Sequence, residues 1–187
     1  MVRTIPTALD GVCLVERRAF PDERGFFTEL YRDVHFAEAG LPTHWAQDNR
    51  SRSHAGVVRG LHYTVRTPQA KLINCVRGAV YDVVVDVRAG SPTFGQWVGV
   101  ELDDSPGRSL FIPAGFAHGF CALRDDTELV YKCTASYEPT DDFGVLWSDP
   151  AIGITWPVAS PIVSAKDQQQ PTLAHALQAH RLPTYAG

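Results

Sequence analysis

The chain has 187 residues, of which 44% are hydrophobic and 20% are charged. This length suits one domain with its own buried core, so we expect a single domain over residues 1–187 that needs neither disulfides nor a metal for stability. The formal net charge of −4, with the positive residues scattered along the chain, argues against a protein that binds nucleic acid.

Short runs rich in Val, Ile, Phe and Tyr recur between Gly, Pro and Asp residues, a pattern typical of an all-β sandwich or barrel. The predicted strands cover residues 12–15, 26–31, 57–63, 71–76, 79–87, 97–102, 109–112, 119–123 and 127–136. Short helices are predicted at residues 33–39 and 172–179. Residues 77–78 predict a tight hairpin and residues 103–107 a longer turn, so we expect neighbouring strands to be antiparallel.

The cysteines and the N-terminus indicate the compartment. Cys13, Cys75, Cys121 and Cys133 lack Cys-x-x-Cys spacing and stand among apolar neighbours, which predicts buried free thiols. Residues 1–6 hold no apolar stretch of signal length, and no segment approaches the roughly 20 apolar residues of a membrane span. We therefore expect a soluble cytoplasmic protein that does not bind membranes.

Two motifs place histidines inside apolar, strand-forming sequence: RGLHY at residues 59–63 and GFAHGF at residues 115–120. Because an unpaired imidazole is costly in such surroundings, His62 and His118 predict a function. In an ideal strand Arg59 and His62 point to opposite faces. They can serve one site only if Gly60 marks a bulge or if the two side chains lie at different depths. The mouth of a β-barrel would be a place where polar side chains of several strands converge.

Five motifs in a fixed order carry a family resemblance. They are RGLHY at 59–63, QAK at 69–71, SPTFG at 91–95, GFAHGF at 115–120 and DP at 149–150. In this order they resemble the dTDP-4-dehydrorhamnose 3,5-epimerases, and the resemblance runs from about residue 22 to residue 167. It implies an all-β, cupin-type jelly-roll β-barrel with short peripheral helices, and a homodimer.

The resemblance also implies a reaction. The family inverts C3 and C5 of dTDP-4-keto-6-deoxyglucose, which requires a base, a group that stabilises an enolate, and an acid on the opposite face. By resemblance, His62 is the base and Asp167 holds its other ring nitrogen. Lys71 lies beside the 4-keto oxygen, and Tyr131 is the proton donor. Neither a cofactor nor a metal is implied. The alternative for His62 is a histidine of the core. For Lys71 it is a solvated lysine at a strand edge, and for Tyr131 it is a buried aromatic residue with no catalytic role.

A second set of residues is implied in substrate binding. Its members are Arg24 and Arg59 for the diphosphate, Glu29, Gln47 and Asn49 for the nucleotide and its sugar, His118 for the hexose, and Phe27 and Tyr137 for the thymine base. In the family the residues that match Arg24 and Phe27 reach into the neighbouring subunit's site, so dimerisation would be part of substrate binding. Asp82 either orients a cation of the site or has a structural role. Surface ion pairs and ordinary packing are the alternatives for the whole set.

Three other functions are considered. A metal-dependent cupin would use a His-x-His pair with a glutamate, and residues 62–64 and 118–120 do not provide one. A sugar-nucleotide binding protein could keep the fold without the chemistry, although the base, its carboxylate and the acid argue against it. A mono-epimerase would invert only C3 or only C5. Tyr131 favours both carbons, but Thr64 stands where the family usually has glutamine, and this leaves the product open.

Overall fold

The computed structural model describes residues 2–186, which form mainly β-strands. The strands are β1 (Val2–Pro6), β2 (Cys13–Arg17), β3 (Ala19–Asp22), β4 (Gly25–Thr28), β5 (Gln47–Ser53), β6 (Val57–Tyr63), β7 (Lys71–Arg77), β8 (Ala79–Asp86), β9 (Trp97–Asp103), β10 (Arg108–Ile112), β11 (Phe116–Ala122), β12 (Thr127–Cys133), β13 (Phe143–Gly144) and β14 (Ile162–Val163). The helices are α1 (Asp33–Glu38), α2 (Ala165–Gln168) and α3 (Leu173–Gln178), with a 3₁₀ turn at Pro139–Asp141. No helix within residues 2–186 is long and apolar enough to cross a membrane.

Two sheets form the barrel. The first sheet has the order β1-β2-β10-β7-β12-β5, and the second has the order β13-β6-β11-β8-β9, with β14 parallel to β6. The connections from β5 to β6, from β7 to β8, from β9 to β10 and from β11 to β12 all pass from one sheet to the other. This crossing pattern is that of a jelly roll, which confirms the predicted all-β fold with short peripheral helices.

The predicted hairpin at residues 77–78 is wrong. β7 and β8 lie in different sheets, so this short connection is a corner of the barrel. Gly78 has a φ of +80°, and a Cβ atom there would collide with the side chain of Thr127. The glycine is needed because the chain turns tightly between the sheets at this point. The turn at residues 103–107 likewise connects two sheets.

Apolar side chains fill the space between the sheets and cover their outer faces. One core cluster between the sheets includes Ile73, Val80, Val84, Leu110 and Leu129. Other clusters pack α3 against the second sheet and α1 against the first. Since Asp82 shares the strand parity of Val80 and Val84, its side chain also points into the barrel.

The cysteines are all free thiols, as predicted. Cys75, Cys121 and Cys133 are buried, whereas Cys13 is only half-buried. Burial raises the pKa of the Cys133 thiol, which therefore stays neutral.

A bulge at Gly60 resolves the conflict between Arg59 and His62. His62 pairs with His118 and Arg59 pairs with Phe120, so β6 has one residue more than β11 between these two pairs. Gly60 has a φ of +121°, a value that glycine adopts readily. The extra residue turns the side chains of Arg59 and His62 toward the same cavity. The bulge that the sequence required at Gly60 for these two residues to serve one site is therefore confirmed.

We expect Gly60→Ala to lower the free energy of unfolding by about 3 kcal/mol, because of steric overlap at the bulge. A Cβ atom there would lie 2.6 Å from Cα of Gly119 and 2.8 Å from the carbonyl oxygen of His118. Urea unfolding followed by tryptophan fluorescence measures this loss. Gly40→Ala is the matched control, because Gly40 also has a positive φ, of +70°, but has nothing within 4 Å of its Cβ position. Equal losses for both variants would contradict the steric explanation.

Candidate active site

A cavity of about 430 Å³ opens between strands of the two sheets. β5, β7 and β12 of the first sheet and β6 and β11 of the second contribute side chains to its wall. The predicted site residues in this wall are Gln47, Asn49, Arg59, His62, Lys71, His118, Tyr131 and Tyr137. Eight predicted side chains from five strands and one loop therefore converge on one space.

His62 and Asp167 form a hydrogen-bonded pair at the cavity. His62 Nε2 lies 2.7 Å from Asp167 Oδ1, and Asp167 Oδ2 accepts the Gly60 N–H at 3.2 Å. The Asp167 side chain is 5% exposed, and Ser164 caps the short helix α2 that carries it. Burial raises the pKa of Asp167, but its contact with His62 and its hydrogen bonds with Gly60 and Ser164 together outweigh burial, and the net shift is downward. A carboxylate at Nε2 keeps the proton on that nitrogen, which leaves Nδ1 free to accept another.

His118 forms a second pair, with Asp82. Its Nε2 atom lies 2.9 Å from Asp82 Oδ1, and Asp82 is fully buried. The second carboxylate oxygen of Asp82 has no hydrogen-bond partner within residues 2–186. Asp82 therefore holds an imidazole of the cavity wall, and its orientation of a cation stays a prediction.

Lys71 lies on an interior strand of the first sheet and is half-buried. Its partner across the β7–β12 ladder is Cys133, which also lines the cavity. Burial lowers the pKa of Lys71, and the neighbouring charges of Asp142 and Asp82 offset this only in part. This position differs from that of a solvated strand-edge lysine, because β10 and β12 flank β7 on its two sides.

Tyr131 faces the cavity from the first sheet, whereas His62 belongs to the second. The ring is half-buried and packs against the core cluster between the sheets. Burial raises the pKa of its phenol. Tyr131 is therefore protonated near neutral pH and can donate a proton from the side of the cavity that His62 does not occupy.

Polar contacts connect the remaining predicted residues of the wall. Gln47 Nε2 donates to Asn49 Oδ1 at 2.7 Å, and Gln47 Oε1 accepts the backbone N–H of Tyr137 at 2.7 Å. Arg59 Nε donates to Ser53 Oγ at 3.2 Å. No carboxylate is paired with Arg59 in the described part of the chain, so its charge is available to an anion in the cavity.

Three predicted residues lie away from this cavity. Arg24 pairs with Asp22 on the exposed β3–β4 hairpin, and the Phe27 ring is 65% exposed there. Glu29 pairs with Arg32 and lies 3.8 Å from His35 Nδ1. Within one chain the structure does not bring these three to the other site residues.

Several wall residues are not among the site residues predicted from the sequence. They are Ser51, Thr64, Gln69, Phe120, Cys133, Glu138 and Asp142. Asp142 accepts hydrogen bonds from Tyr137 Oη at 3.0 Å and from Lys166 Nζ at 2.5 Å. Its sequence context, three residues after Pro139 and next to another aspartate, is that of an ordinary turn, so only the folded structure identifies it. No group of three His, Cys, Asp or Glu residues among residues 2–186 is placed to hold a metal ion.

Comparisons with known proteins identify relatives over most of the chain. Residues 6–175 match the family model described as dTDP-4-dehydrorhamnose 3,5-epimerase. The protein of that name from Methanothermobacter thermautotrophicus is 48% identical over 169 residues, which is 89% of this chain and 91% of the relative. A dTDP-4-dehydrorhamnose 3-epimerase from Streptomyces niveus is 45% identical over 187 residues, which is 99% of this chain and 90% of the relative. The structure of a dTDP-6-deoxy-D-glucose-3,5-epimerase from Legionella pneumophila in complex with dTDP-4-keto-L-rhamnose matches with a TM-score of 0.94 at 41% identity, over 100% of both chains.

Proposed function

Because the chain belongs to the dTDP-4-dehydrorhamnose 3,5-epimerase family, we propose that it inverts C3 and C5 of dTDP-4-keto-6-deoxyglucose. Membership also confirms the cupin-type fold and the isomerase class that the sequence predicts. The observation that carries the proposal is the placement of a carboxylate-held imidazole and a protonated phenol on different sheets around one cavity. Inversion needs a base and an acid on opposite faces of the sugar, and this arrangement supplies them.

The proposed reaction proceeds through an enolate. His62 Nδ1 takes the proton from C3, and the electrons of the broken C–H bond move to the 4-keto oxygen. The Lys71 ammonium stabilises that oxygen as its negative charge develops. His118, whose Nε2 is held by Asp82, donates a hydrogen bond from Nδ1 to that oxygen or to the sugar when both of its ring nitrogens carry a proton. Tyr131 then protonates C3 on the opposite face. Proton exchange with water restores neutral His62 and Tyr131, and the same steps invert C5, so that no cofactor is required.

The rest of the cavity is proposed to hold the nucleotide. Arg59 offers a planar fork of donors to the diphosphate, and Gln47 and Asn49 bind the nucleotide's sugar. Tyr137 stacks on the thymine base, because its ring is 59% exposed at the rim of the cavity. The set provides charge for the phosphates and an aromatic surface for the base.

We propose that the protein works as a homodimer. The β3–β4 hairpin exposes Phe20, Phe26 and Phe27, and a cluster of exposed aromatic rings favours an interaction surface. By resemblance to the family, Arg24 and Phe27 would enter the partner's cavity, and Glu29 lies two residues after Phe27 in the chain. This would explain why the three residues are remote from the cavity of their own chain.

The proposed location is the cytoplasm, without nucleic acid or membrane as a partner. All four cysteines are free thiols, which suits a reducing compartment. The net charge of −4 disfavours binding to nucleic acid.

Inversion at a single carbon is the second candidate function. Thr64 lines the cavity two residues after His62, and its Oγ1 atom donates to the Thr67 carbonyl at 2.8 Å. The side chain is therefore short and turned toward its own loop, so it leaves space beside the base. A sugar bound differently in that space would present only one carbon to His62.

Proton NMR in deuterium oxide tests the proposal. The protein is incubated with dTDP-4-keto-6-deoxyglucose, and the C3 and C5 proton signals are followed. Loss of both signals is expected for the 3,5-epimerase, whereas loss of one would identify a mono-epimerase. Binding of dTDP without loss of either signal would contradict epimerisation and favour a sugar-nucleotide binding protein.

Tyr131→Phe is expected to separate exchange from inversion. His62 would still remove protons, so deuterium should enter the substrate, while the rate of inversion falls about 10²-fold because the acid is missing. The ratio of exchange to product formation, measured by NMR in deuterium oxide, reports this difference. Tyr81→Phe is the control, because Tyr81 is also partly buried but does not line the cavity. Normal inversion by Tyr131→Phe would remove Tyr131 from the acid role.

A further inference from the structure

Two loops form the mouth of the cavity. The first mouth loop, residues 64–70, connects the strand of His62 to the strand of Lys71 and contributes Thr64 and Gln69 to the wall. The second mouth loop, residues 134–142, follows the strand of Tyr131 and contributes Tyr137, Glu138 and Asp142. The loops carry the binding residues of the mouth, whereas the proposed base, enolate stabiliser and acid lie on strands.

Asp141 joins these two loops. Its Oδ1 atom accepts the backbone N–H groups of Val65 at 3.1 Å and Arg66 at 3.0 Å, and its Oδ2 atom accepts that of Thr67 at 2.7 Å. Three consecutive N–H groups that converge in this way form a nest for an anion, and here a carboxylate from the other loop fills it. The Asp141 side chain is 1% exposed, so water cannot replace these hydrogen bonds.

The charge of Asp141 is maintained by these contacts. Burial raises its pKa, but the hydrogen bonds from the backbone of Arg66, Thr67 and Val65, together with the charge of the Arg66 side chain, whose Nε lies 3.7 Å from Asp141 Oδ1, outweigh burial, and the net shift is downward. The carboxylate therefore stays ionised near neutral pH, where hydrogen bonds to it are stronger than those to a neutral acceptor.

Neighbouring contacts extend this link to the binding residues. Gln69 Nε2 donates to the Ala135 carbonyl at 2.8 Å, which is a second connection between the loops. In the second loop the Tyr137 hydroxyl is bonded to Asp142, the residue that follows Asp141. A shift of Asp141 would consequently move the tyrosine proposed to stack on the base.

We propose that Asp141 is a positioning residue that holds the two mouth loops together and so preorganises the cavity for the nucleotide. This inference rests on the proposed function, because it assumes that a dTDP-sugar enters through this mouth. Asp141 does not line the cavity and acts through Tyr137, Gln69 and Thr64. Since His62, Lys71 and Tyr131 are fixed by the strand ladders, loss of Asp141 should weaken binding far more than it slows the chemical step.

The test compares Asp141→Asn with Asp149→Asn. Asp149 is also a buried carboxylate that accepts backbone N–H groups, from Ala151 at 2.9 Å and from Leu173 at 2.7 Å, but it does not line the cavity or contact the mouth loops. For Asp141→Asn, we expect about a tenfold rise in KM and in the Kd of dTDP, measured by calorimetry, and a change in kcat of no more than about threefold. Asp149→Asn should lower the melting temperature to a similar extent and leave KM, kcat and Kd unchanged.

Other outcomes would overturn the inference. A rise in KM that is equal in both variants would reduce Asp141 to a general stability role, and a fall in kcat at constant KM would place it in the chemistry. A second measurement needs no variant: hydrogen exchange of the amides of residues 65–67 in the wild-type protein should be slow. Fast exchange there would show that the nest does not persist. A wild-type protein that binds dTDP without epimerising would refute the proposed reaction, and the Kd comparison would still test Asp141.

Discussion

His62→Ala should abolish deuterium exchange at both C3 and C5, with a loss of rate of about 10⁴-fold. Among residues 2–186, only His62 has Nε2 on Asp167, and its Nδ1 has no hydrogen-bond partner there. The experiment is the same proton NMR measurement in deuterium oxide, with enzyme concentration raised to detect slow exchange. The Kd of dTDP should stay within about twofold of the wild-type value, because the groups proposed to bind the nucleotide lie elsewhere in the wall.

Asp167→Asn is the companion variant, since it tests the pair and not the imidazole alone. An asparagine amide would donate to Nε2, and the ring proton would then move to Nδ1, the nitrogen that must accept. Exchange should therefore fall at both carbons although the imidazole is present.

Exchange that persists at one carbon in His62→Ala would contradict a single base. The His118–Asp82 pair would then be the group to examine, because His118 lies directly opposite His62 across the β6–β11 ladder.

The two sheets divide the proposed chemistry between them. The second sheet carries both imidazoles, each fixed by a buried carboxylate, at 2.7 Å for His62 and 2.9 Å for His118. The first sheet carries Lys71 and Tyr131, and burial raises the pKa of the Tyr131 phenol, which keeps it protonated near neutral pH. A sugar between the sheets would have its proton acceptor on one side and its cation and proton donor on the other. Inversion of configuration follows from this geometry without movement of the barrel.

The strands of His62, Lys71 and Tyr131 could be predicted from the sequence because each is rich in apolar, β-forming residues. β5 could not, since its sequence QDNRSRS has no apolar residue. It is an edge strand whose alternate side chains, Gln47, Asn49 and Ser51, face the cavity, so the polarity that hides the strand is what makes it part of the site.

Connections and distant contacts are harder to predict than strands. The corner at Gly78 has the composition of a hairpin, because a turn between sheets needs the same positive φ as a turn within one sheet. The approach of Asp167 to His62 joins residues 105 positions apart, and only the resemblance to a family indicated it. Asp141 carries no local signal either, because its partners are backbone groups, which every residue has.

Lys71→Met should lower kcat by about 10³-fold, since it removes the charge that faces the developing enolate oxygen and keeps a side chain of similar length. The Kd of dTDP should change little, because the stabilisation is required only in the transition state. Lys132→Met is the matched control: Lys132 follows Tyr131 on the neighbouring strand but pairs with Asp48 at 3.0 Å and does not line the cavity. Equal losses of kcat in the two variants would contradict a specific role for Lys71.

The pH profile gives an independent readout of Lys71. Burial lowers the pKa of Lys71 below that of an ordinary lysine, so the protonated, active form is lost at a lower pH than for an exposed amine. The wild-type kcat should therefore fall on the alkaline side as this ammonium deprotonates. Lys71→Met has no proton to lose at this position, and its small residual kcat should lack that alkaline fall. If kcat falls on the alkaline side with the same midpoint in both proteins, the titrating group is not Lys71. Tyr131 would then be the candidate, because its phenol also has to remain protonated.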